Sequence, residues 1–574
     1  MLDSIIRIPE LIDKLKANNM PSCGISDHGN MYGALKFYNA CKDAEIRAIL
    51  GFESYICDDI KKKEDRKFYH LVLFAKNYEG YLNLIKLITI SNLEGFYYKP
   101  RLDIETIAKY SKGILATSAC LQGKVQRLLL DGKASEARDT VAKYKDIFWD
   151  DFYIELMRHG LEDQVALEPE LIKLARETKT KLIATCDAHY LNRDDAFAQE
   201  VSLAIGMNQK ISTPPRTKDN PSGRFVFGAD EFYVRTPEEM GSLFKDIPEA
   251  LKNTNEVAEK CNLVIPFRGI KVTKYKLPEG TTDSFEYLKK LCRAGWKKYK
   301  LDKGKDKRYT DRIKYELDII NQTKLSDYFL TVADICKYAD DNKIGRDMGR
   351  GSAGASLIAY LMNITKVDPI EYGLIFERFY NKGRGEITME NGEYYINGSP
   401  PDIDVDVSWL RRDEILDYIS TKWPNSCQII TFNTMSAKAA IKDVARVLGF
   451  DFALSNHITS FVPKTPGITI DEAVEESTKL KEYQNEYKKL FTIARRLEGC
   501  TRNASVHAAG VIISSEALDK QIPLVWDSKS KCGISSFDMG DCELSGLQKI
   551  DVLGLRTIDQ VDMTIKLANE RGTK

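Results

Sequence analysis

The chain contains no C-x-x-C pair, no apolar run long enough to span a bilayer, no internal repeat and no low-complexity tail. Each absence removes a class of protein. Without a paired spacing, the 12 scattered cysteines fit neither a zinc finger nor a disulfide framework. No signal-peptide pattern opens the chain, so these cysteines are expected as reduced thiols in the cytoplasm, with no membrane partner. Net charge is also missing, because 84 basic side chains cancel 84 acidic ones. Any nucleic-acid surface must therefore be a local patch. Histidine is scarce, with 6 in 574 residues. At that length one core is insufficient, and about two to four domains are expected.

What is present is ordered. From about residue 20 to 200, short apolar runs (CGIS, AILGFESYI, YHLVLFA, GILATSA, FYIELM, LIATC) alternate with helical patterns such as YGALKFYNACKDA and YEGYLNLIKLITIS. That alternation predicts a β/α domain. A connector, STPPRTKDNPSG (212–223), and two helices follow, then a basic run from Lys289 to Lys314 whose ordinary reading is a solvated helix and loop. RGEITMENGEYYINGSP carries Asn391-Gly392 and Asn397-Gly398, both read as hairpin turns. TMSAKAAIKDVARVLG predicts a helix capped by Gly449, and GLQKIDVLGL predicts a late strand.

Two constellations carry chemistry. In the first, His28, His70, His159 and His189 fall at or beside predicted strands, accompanied by Asp27, Glu53, Cys120 and Asp187. A barrel-like domain collects such residues at its strand ends, and this mixture of donors suits borderline divalent metals. The second is PPDIDVDV, where Asp402, Asp404 and Asp406 alternate with Ile403 and Val405. On a strand they share a face and repel one another unless a cation or solvent relieves them. An EF-hand is excluded, since Val407 stands where that loop needs Gly and Asp413 where it needs Glu. A solvated edge strand is an equal reading of the motif taken alone. Asp551, with Lys549 two positions earlier, supplies another carboxylate, and Gly349, Arg350, Gly351 and Ser352 form a turn able to approach phosphate. Together they read as a nucleotidyl-transfer site that would use paired divalent ions. Lys438, Lys442 and Arg446 form a stripe on the predicted helix; beside such a site it would follow a DNA backbone. His507 is expected near the site or as a structural histidine, and His457 has no assigned role.

SDHGNMYGALKFYNA, GFESY, SACLQGKV, ELMRHGLEDQ and TCDAHYLNRDDA resemble the polymerase and histidinol phosphatase (PHP) domain of bacterial C-family replicative DNA polymerases. GRGSAGASLIAYLMNITKVDPIEYGLIFERFYN, PPDIDVDV, ITFNTMSAKAAIKDVARVLG, LEGCTRNASVHAAGVII and LQKIDVLGLRT resemble the palm and thumb of that family, the alpha subunits of DNA polymerase III. The resemblance implies a multidomain α/β and α+β fold: an incomplete β/α-barrel-like PHP domain (1–211), a connector with helices (212–280), a nucleotidyltransferase-like palm (281–428 and 504–560), a helical thumb (429–503) and the start of fingers (561–574). It implies catalysis by Asp402, Asp404 and Asp551 with Mg2+, Asp406 being a supporting carboxylate, and triphosphate contacts from Arg350, Gly351, Ser352 and Lys549. It implies metal ligation by Asp27, His28, Glu53, His70, Cys120, His159, Asp187 and His189, with Zn2+ or Mn2+ as the ion.

Family members normally begin with a strand bearing an H-x-H pair, whereas this chain opens on MLDSIIRIPEL. The N-terminal domain is therefore expected to lack two ligands and to serve structurally. The expected function is template-directed DNA synthesis on primer-template DNA with dNTPs, through a partner chain that supplies fingers and reaches the sliding clamp and replisome. Primer extension by the isolated chain is expected to be weak or absent, and restored by that partner. The alternatives are a metal-dependent phosphoesterase or exonuclease with a remnant polymerase, and a non-catalytic DNA-binding scaffold.

Overall fold

A computed structural model describes residues 2–63, 66–217, 219–301, 306–530 and 532–572. Lys218 of the connector, residues 302–305 of the basic run and the final residues 573–574 lie outside the described residues. Contacts divide the chain into two compact units, Met1–Val264 with Phe432–Ser505, and Ile265–Thr431 with Val506–Lys574.

In the first unit, β1 (Ser22–His28), β2 (Arg47–Ile56), β3 (Tyr69–Ala75), β4 (Phe96–Tyr97), β5 (Lys99–Leu102), β6 (Ile114–Thr117), β7 (Phe152–Met157) and β8 (Lys181–Thr185) share one sheet. The apolar runs dictate it: β2, β3, β6 and β7 are buried over most of their length, which requires cover on both faces. The sheet order is β4-β5-β2-β3-β6-β7-β8, with β1 alongside β2. It departs from an all-parallel barrel because β3 runs antiparallel to both β2 and β6, and among the described residues β1 and β8 are not paired. The reversal of β3 has a consequence. His70, near its start, reaches the same edge of the sheet as His28 and Glu53 at or near the ends of β1 and β2.

Residues after 211 continue this unit. Helix Pro248–Lys260 lies on β8: Asn253 Nδ2 donates to the Leu182 carbonyl (2.8 Å) and Thr254 Oγ1 to that of Ala184 (3.0 Å). Residues 432–505 also share its core. The helix Ala437–Leu448 and helix Lys488–Leu497 bury Ala440, Ile441, Val444, Phe491 and Ala494 with Val201 and Ala204 of helix Ala196–Gly206. Arg7 Nη1 donates to the Glu498 carbonyl (3.1 Å), and Arg496 pairs with Asp195 (2.9 Å).

In the second unit, β9 (Ile270–Lys271), β10 (Gly385–Glu390) and β11 (Glu393–Gly398) form a small sheet. Asn391 and Gly392, at φ 52° and 80°, make the expected hairpin turn. Asn397-Gly398 makes none; it ends β11, where Gly398 pairs with Gly385. A six-stranded sheet takes β12 (Asp404–Ser408), β13 (Ser426–Thr434), β14 (Thr501–Ile513), β15 (Leu524–Asp527), β16 (Cys532–Ser535) and β17 (Lys549–Leu555) in the order β12-β17-β14-β13-β16-β15. Val405, Val407, Ile550 and Val552 are buried in one cluster with Tyr328, Phe329, Val332 and Ile335 of helix Ser326–Asp341. Each such side chain contributes about 1.5–3 kcal/mol of burial.

One polar network in the first unit is accessible to titration. Glu256 accepts from Lys181 Nζ (2.7 Å) and Tyr153 Oη (3.0 Å), and pairs with Lys260 (2.9 Å). Lys181 above all, with Lys260 and Tyr153, holds the Glu256 carboxyl down at about 2 against partial burial. A carboxyl depressed in the fold adds stability above its unfolded value, and that stability is lost as pH falls through the folded one. Glu256→Gln is therefore expected to lower unfolding stability at pH 6 and to match the parent near pH 2, as urea titrations across that range would read.

Candidate functional site

The second unit brings three carboxylates together. β12 and β17 pair in parallel register, Asp404 opposite Asp551. Asp402 stands two residues before Asp404, just ahead of the ladder. One oxygen from each of Asp402, Asp404 and Asp551 lies within 4.8 Å of the others. The expected face of alternating aspartates divides here: Asp406 is buried and bound to an arginine instead. Arg350 Nε and Nη2 reach its two oxygens at 2.6 and 3.1 Å, while Nη2 is 3.5 Å from Asp404 Oδ1. The arginine expected to meet phosphate thus also neutralises the supporting carboxylate.

The glycine-rich turn is fixed by what flanks it. Asp347 N–H donates to the Asp406 carbonyl (3.0 Å) and Ser408 N–H to that of Gly345 (2.9 Å), which ties the approach to the turn along β12. Arg346 binds Asp340 (2.7 and 3.0 Å) and the carbonyls of Asn363 and Ile364 (3.0 and 3.1 Å). Gly351 has φ 70°, and a Cβ there would stand 2.9 Å from Asp404 Oδ2, so only glycine lets this backbone lie against the carboxylate. Ser352 follows at the start of a short 3-10 turn, Ser352–Ala355.

The electrostatics match the geometry. Burial above all, with Asp402, Asp551 and Asp406 adding repulsion, raises the Asp404 carboxyl above its ordinary value against the pull of Arg350. Lys549 Nζ donates to Asp551 Oδ2 (2.6 Å) and lies 3.4 Å from Asp402 Oδ2. Burial lowers its pKa, but these two carboxylates outweigh that and hold the ammonium above its usual range. Asp551 Oδ1 is buried without a hydrogen-bond donor among the described residues. An orphaned carboxylate oxygen within an all-oxygen donor set fits a hard divalent cation such as magnesium. His507 proves local: its Nδ1 accepts from Gly510 N–H (2.7 Å), on the strand position opposite Asp551.

In the first unit, His28 joins two ligand groups. One contains His28, Glu53 and His70; the other contains Asp3, His28 and His189. Glu53 Oε2 is 2.6 Å from His28 Nδ1 and Glu53 Oε1 is 2.7 Å from His70 Nδ1, while Asp3 Oδ2 is 3.0 Å from His28 Nε2 and 3.6 Å from His189 Nε2. Cys120 Sγ stands beside them, 3.5 Å from His70 Nδ1. Burial lowers the His28 and His189 pKa values, yet Asp3 and, for His28, Glu53 override it and raise them to about 10 and about 9. Carboxylate and imidazole donors of this kind fit zinc or manganese.

The other expected ligands of this unit do not join these two groups. Asp27 accepts Gly33 N–H (3.0 Å), and the His159 ring, stacked on Phe232, uses one nitrogen on the Cys186 carbonyl and the other on Gln164 (2.9 Å each). Asp187 Oδ1 remains 3.9 Å from His189 Nδ1. Asp3 went unpredicted because it precedes the first strand, with no motif around it. On the helix Ala437–Leu448, Lys442 is exposed and Lys438 half-buried, while the part-exposed Arg446 donates to Asn208 (2.8 Å) and lies 3.5 Å from Asp443. His457 is exposed on its helix, edge-on to Phe461.

Known proteins resemble both parts of the chain. Residues 1–159 match the family described as PHP domain, and residues 286–554 match the family described as Bacterial DNA polymerase III alpha NTPase domain. These matches define a chain that couples a PHP domain to a polymerase-type domain. Curated relatives named DNA polymerase III subunit alpha are 41% identical over 97% of this chain in Borreliella burgdorferi, 37% over 100% in Campylobacter jejuni and 38% over 99% in Helicobacter pylori. Over nearly its whole length the chain is similar to the alpha subunits of bacterial DNA polymerase III. It spans about half the length of these relatives, 48 to 49%.

The Arg350–Asp406 pair makes a direct prediction. Arg350→Ala leaves a buried carboxylate without its partner, which costs about 1–3 kcal/mol. Asp406→Asn in the same chain is expected to recover most of that loss, and chemical denaturation of the single and double variants reads the coupling.

Proposed function

We propose that the second unit is the catalytic palm of a DNA-directed DNA polymerase, acting on primer-template DNA and dNTPs in replication, with the stretch 429–503 as thumb. The observation that carries this reading is the parallel register setting Asp404 against Asp551, with Asp402 and the Gly349–Ser352 turn beside them. Asp402, Asp404 and Asp551 would hold magnesium, which when bound supplies the Lewis acidity to activate a 3′-hydroxyl and the charge to offset a leaving pyrophosphate. The chain's own residues do the positioning. Gly351 and Ser352 offer backbone and hydroxyl to a triphosphate, Lys549 offers an ammonium held between carboxylates, and Arg350 offers the guanidinium edge not taken by Asp406. Lys438 and Lys442 supply the cationic surface for a DNA backbone, and affinity carried by them would fall with salt. In Mg2+-dependent primer extension within the polymerase assembly, Asp404→Asn is expected to reduce the rate by a factor on the order of 10² to 10³ or more. An unchanged rate would overturn the reading.

A second activity is favoured by the two ligand groups around His28. The first unit would bind zinc or manganese and cleave phosphate esters, with Asp3 supplying a carboxylate beside His28 and His189. No helix among the described residues is long and apolar enough to cross a membrane. His28→Ala is expected to remove Mn2+-dependent hydrolysis of bis-p-nitrophenyl phosphate while Asp404→Asn leaves it intact; hydrolysis that survives His28→Ala argues for a structural role.

A further inference from the structure

Asp402 is the one carboxylate of the trio whose place is not set by the sheet. The ladder begins at Asp404, and Asp402 itself is exposed, with Lys549 at a long 3.4 Å. The constraint on it comes through the next residue. Ile403 is fully buried in the core, and its N–H donates to the Tyr328 hydroxyl at 3.0 Å. Tyr328 belongs to helix Ser326–Asp341, is itself buried, and its ring packs edge-on to Phe329. A rigid helix thus presents a hydroxyl to the peptide that joins Asp402 to Ile403, and a buried N–H that loses such an acceptor must find another or shift.

We infer that Tyr328 is a positioning residue: its hydroxyl fixes the Asp402–Ile403 peptide and thereby aims the Asp402 carboxylate at the point it shares with Asp404 and Asp551. The inference rests on the reading of these three residues as the metal site of a polymerase palm. It follows from a division of labour visible in the strand. Asp404 and Asp551 are held by ladder hydrogen bonds, Asp406 by Arg350, and Asp402 by a side chain from outside the sheet. Supporting groups of this kind matter to metal sites because a ligand free to rotate gives up affinity.

Tyr328→Phe removes one oxygen and leaves the ring. Mn2+ binding to the whole chain, followed by the electron paramagnetic resonance signal of the free ion, would be compared for the parent, Tyr328→Phe, Asp402→Ala and the double variant. Binding at the His28 groups is common to all four and is subtracted with a His28→Ala control. Tyr328→Phe is expected to weaken palm binding about 10-fold, with unchanged near-ultraviolet circular dichroism, and to add nothing in the Asp402→Ala background. Parent-like affinity in Tyr328→Phe, or a full second loss on top of Asp402→Ala, overturns the positioning role. If Asp404→Ala and Asp551→Ala also bind Mn2+ as the parent does, the palm reading fails with it; if they lose binding while Tyr328→Phe does not, only the inference about Tyr328 fails.

Discussion

The parallel pairing of β12 with β17 is the constraint on which the candidate palm depends. Because the ladder sets Asp404 opposite Asp551, two acidic side chains more than a hundred residues apart are placed on adjacent strands with their carboxylates converging. A slip of one residue would turn each of them to the other face. The register is protected by the residues between: Val405, Val407, Ile550 and Val552 are all buried under the helix Ser326–Asp341, so a slip would expose apolar side chains and bury charges. Core packing and the site are therefore consequences of one alternation.

The same carboxylates create a problem that the surrounding structure answers with fixed cations. Arg350 binds Asp406 and lies near Asp404, and Lys549 lies between Asp551 and Asp402. Charges brought together in a partly dry site repel strongly unless compensated, and every one of these four acids has a cationic neighbour. What the cations leave uncovered is informative. Asp551 Oδ1, buried and without a donor among the described residues, is the acceptor a divalent ion would use. The first unit balances Asp3 and Glu53 with histidines instead, and its donors are correspondingly suited to softer ions.

Much of this was legible in the sequence because it is local or periodic. The strands 69–75 and 152–157 coincide with YHLVLFA and FYIELM, since an apolar run of that length bounded by turns has few other solutions. Asp404 and Asp551 were legible as strand residues because alternation of Asp with Ile and Val is itself a strand signal, whereas Asp402 lies just ahead of the ladder. The reversal of β3 was not, as a buried strand reads the same in either direction. Neither was the sharing of one core by residues 1–211 and 432–505, which depends on the fit of helices far apart in sequence.

The residues most easily misjudged are those whose type suits a ligand but whose partner is structural. His159 has the right chemistry and stands beside the right strand, yet Gln164 and the Cys186 carbonyl take up both its ring nitrogens, while Gly33 N–H takes one oxygen of Asp27. Asp406, expected as a supporting carboxylate, has the spacing of its neighbours and is bound by Arg350. Spacing along a strand decides which face a side chain leaves from, but not which neighbour satisfies it, because that neighbour arrives from another element. Asp3 shows the converse: no pattern marks it, and it becomes a candidate ligand only because the segment before the first helix passes His28 and His189. A site assembled from strand ends is thus defined as much by which polar atoms remain free as by which residues are present.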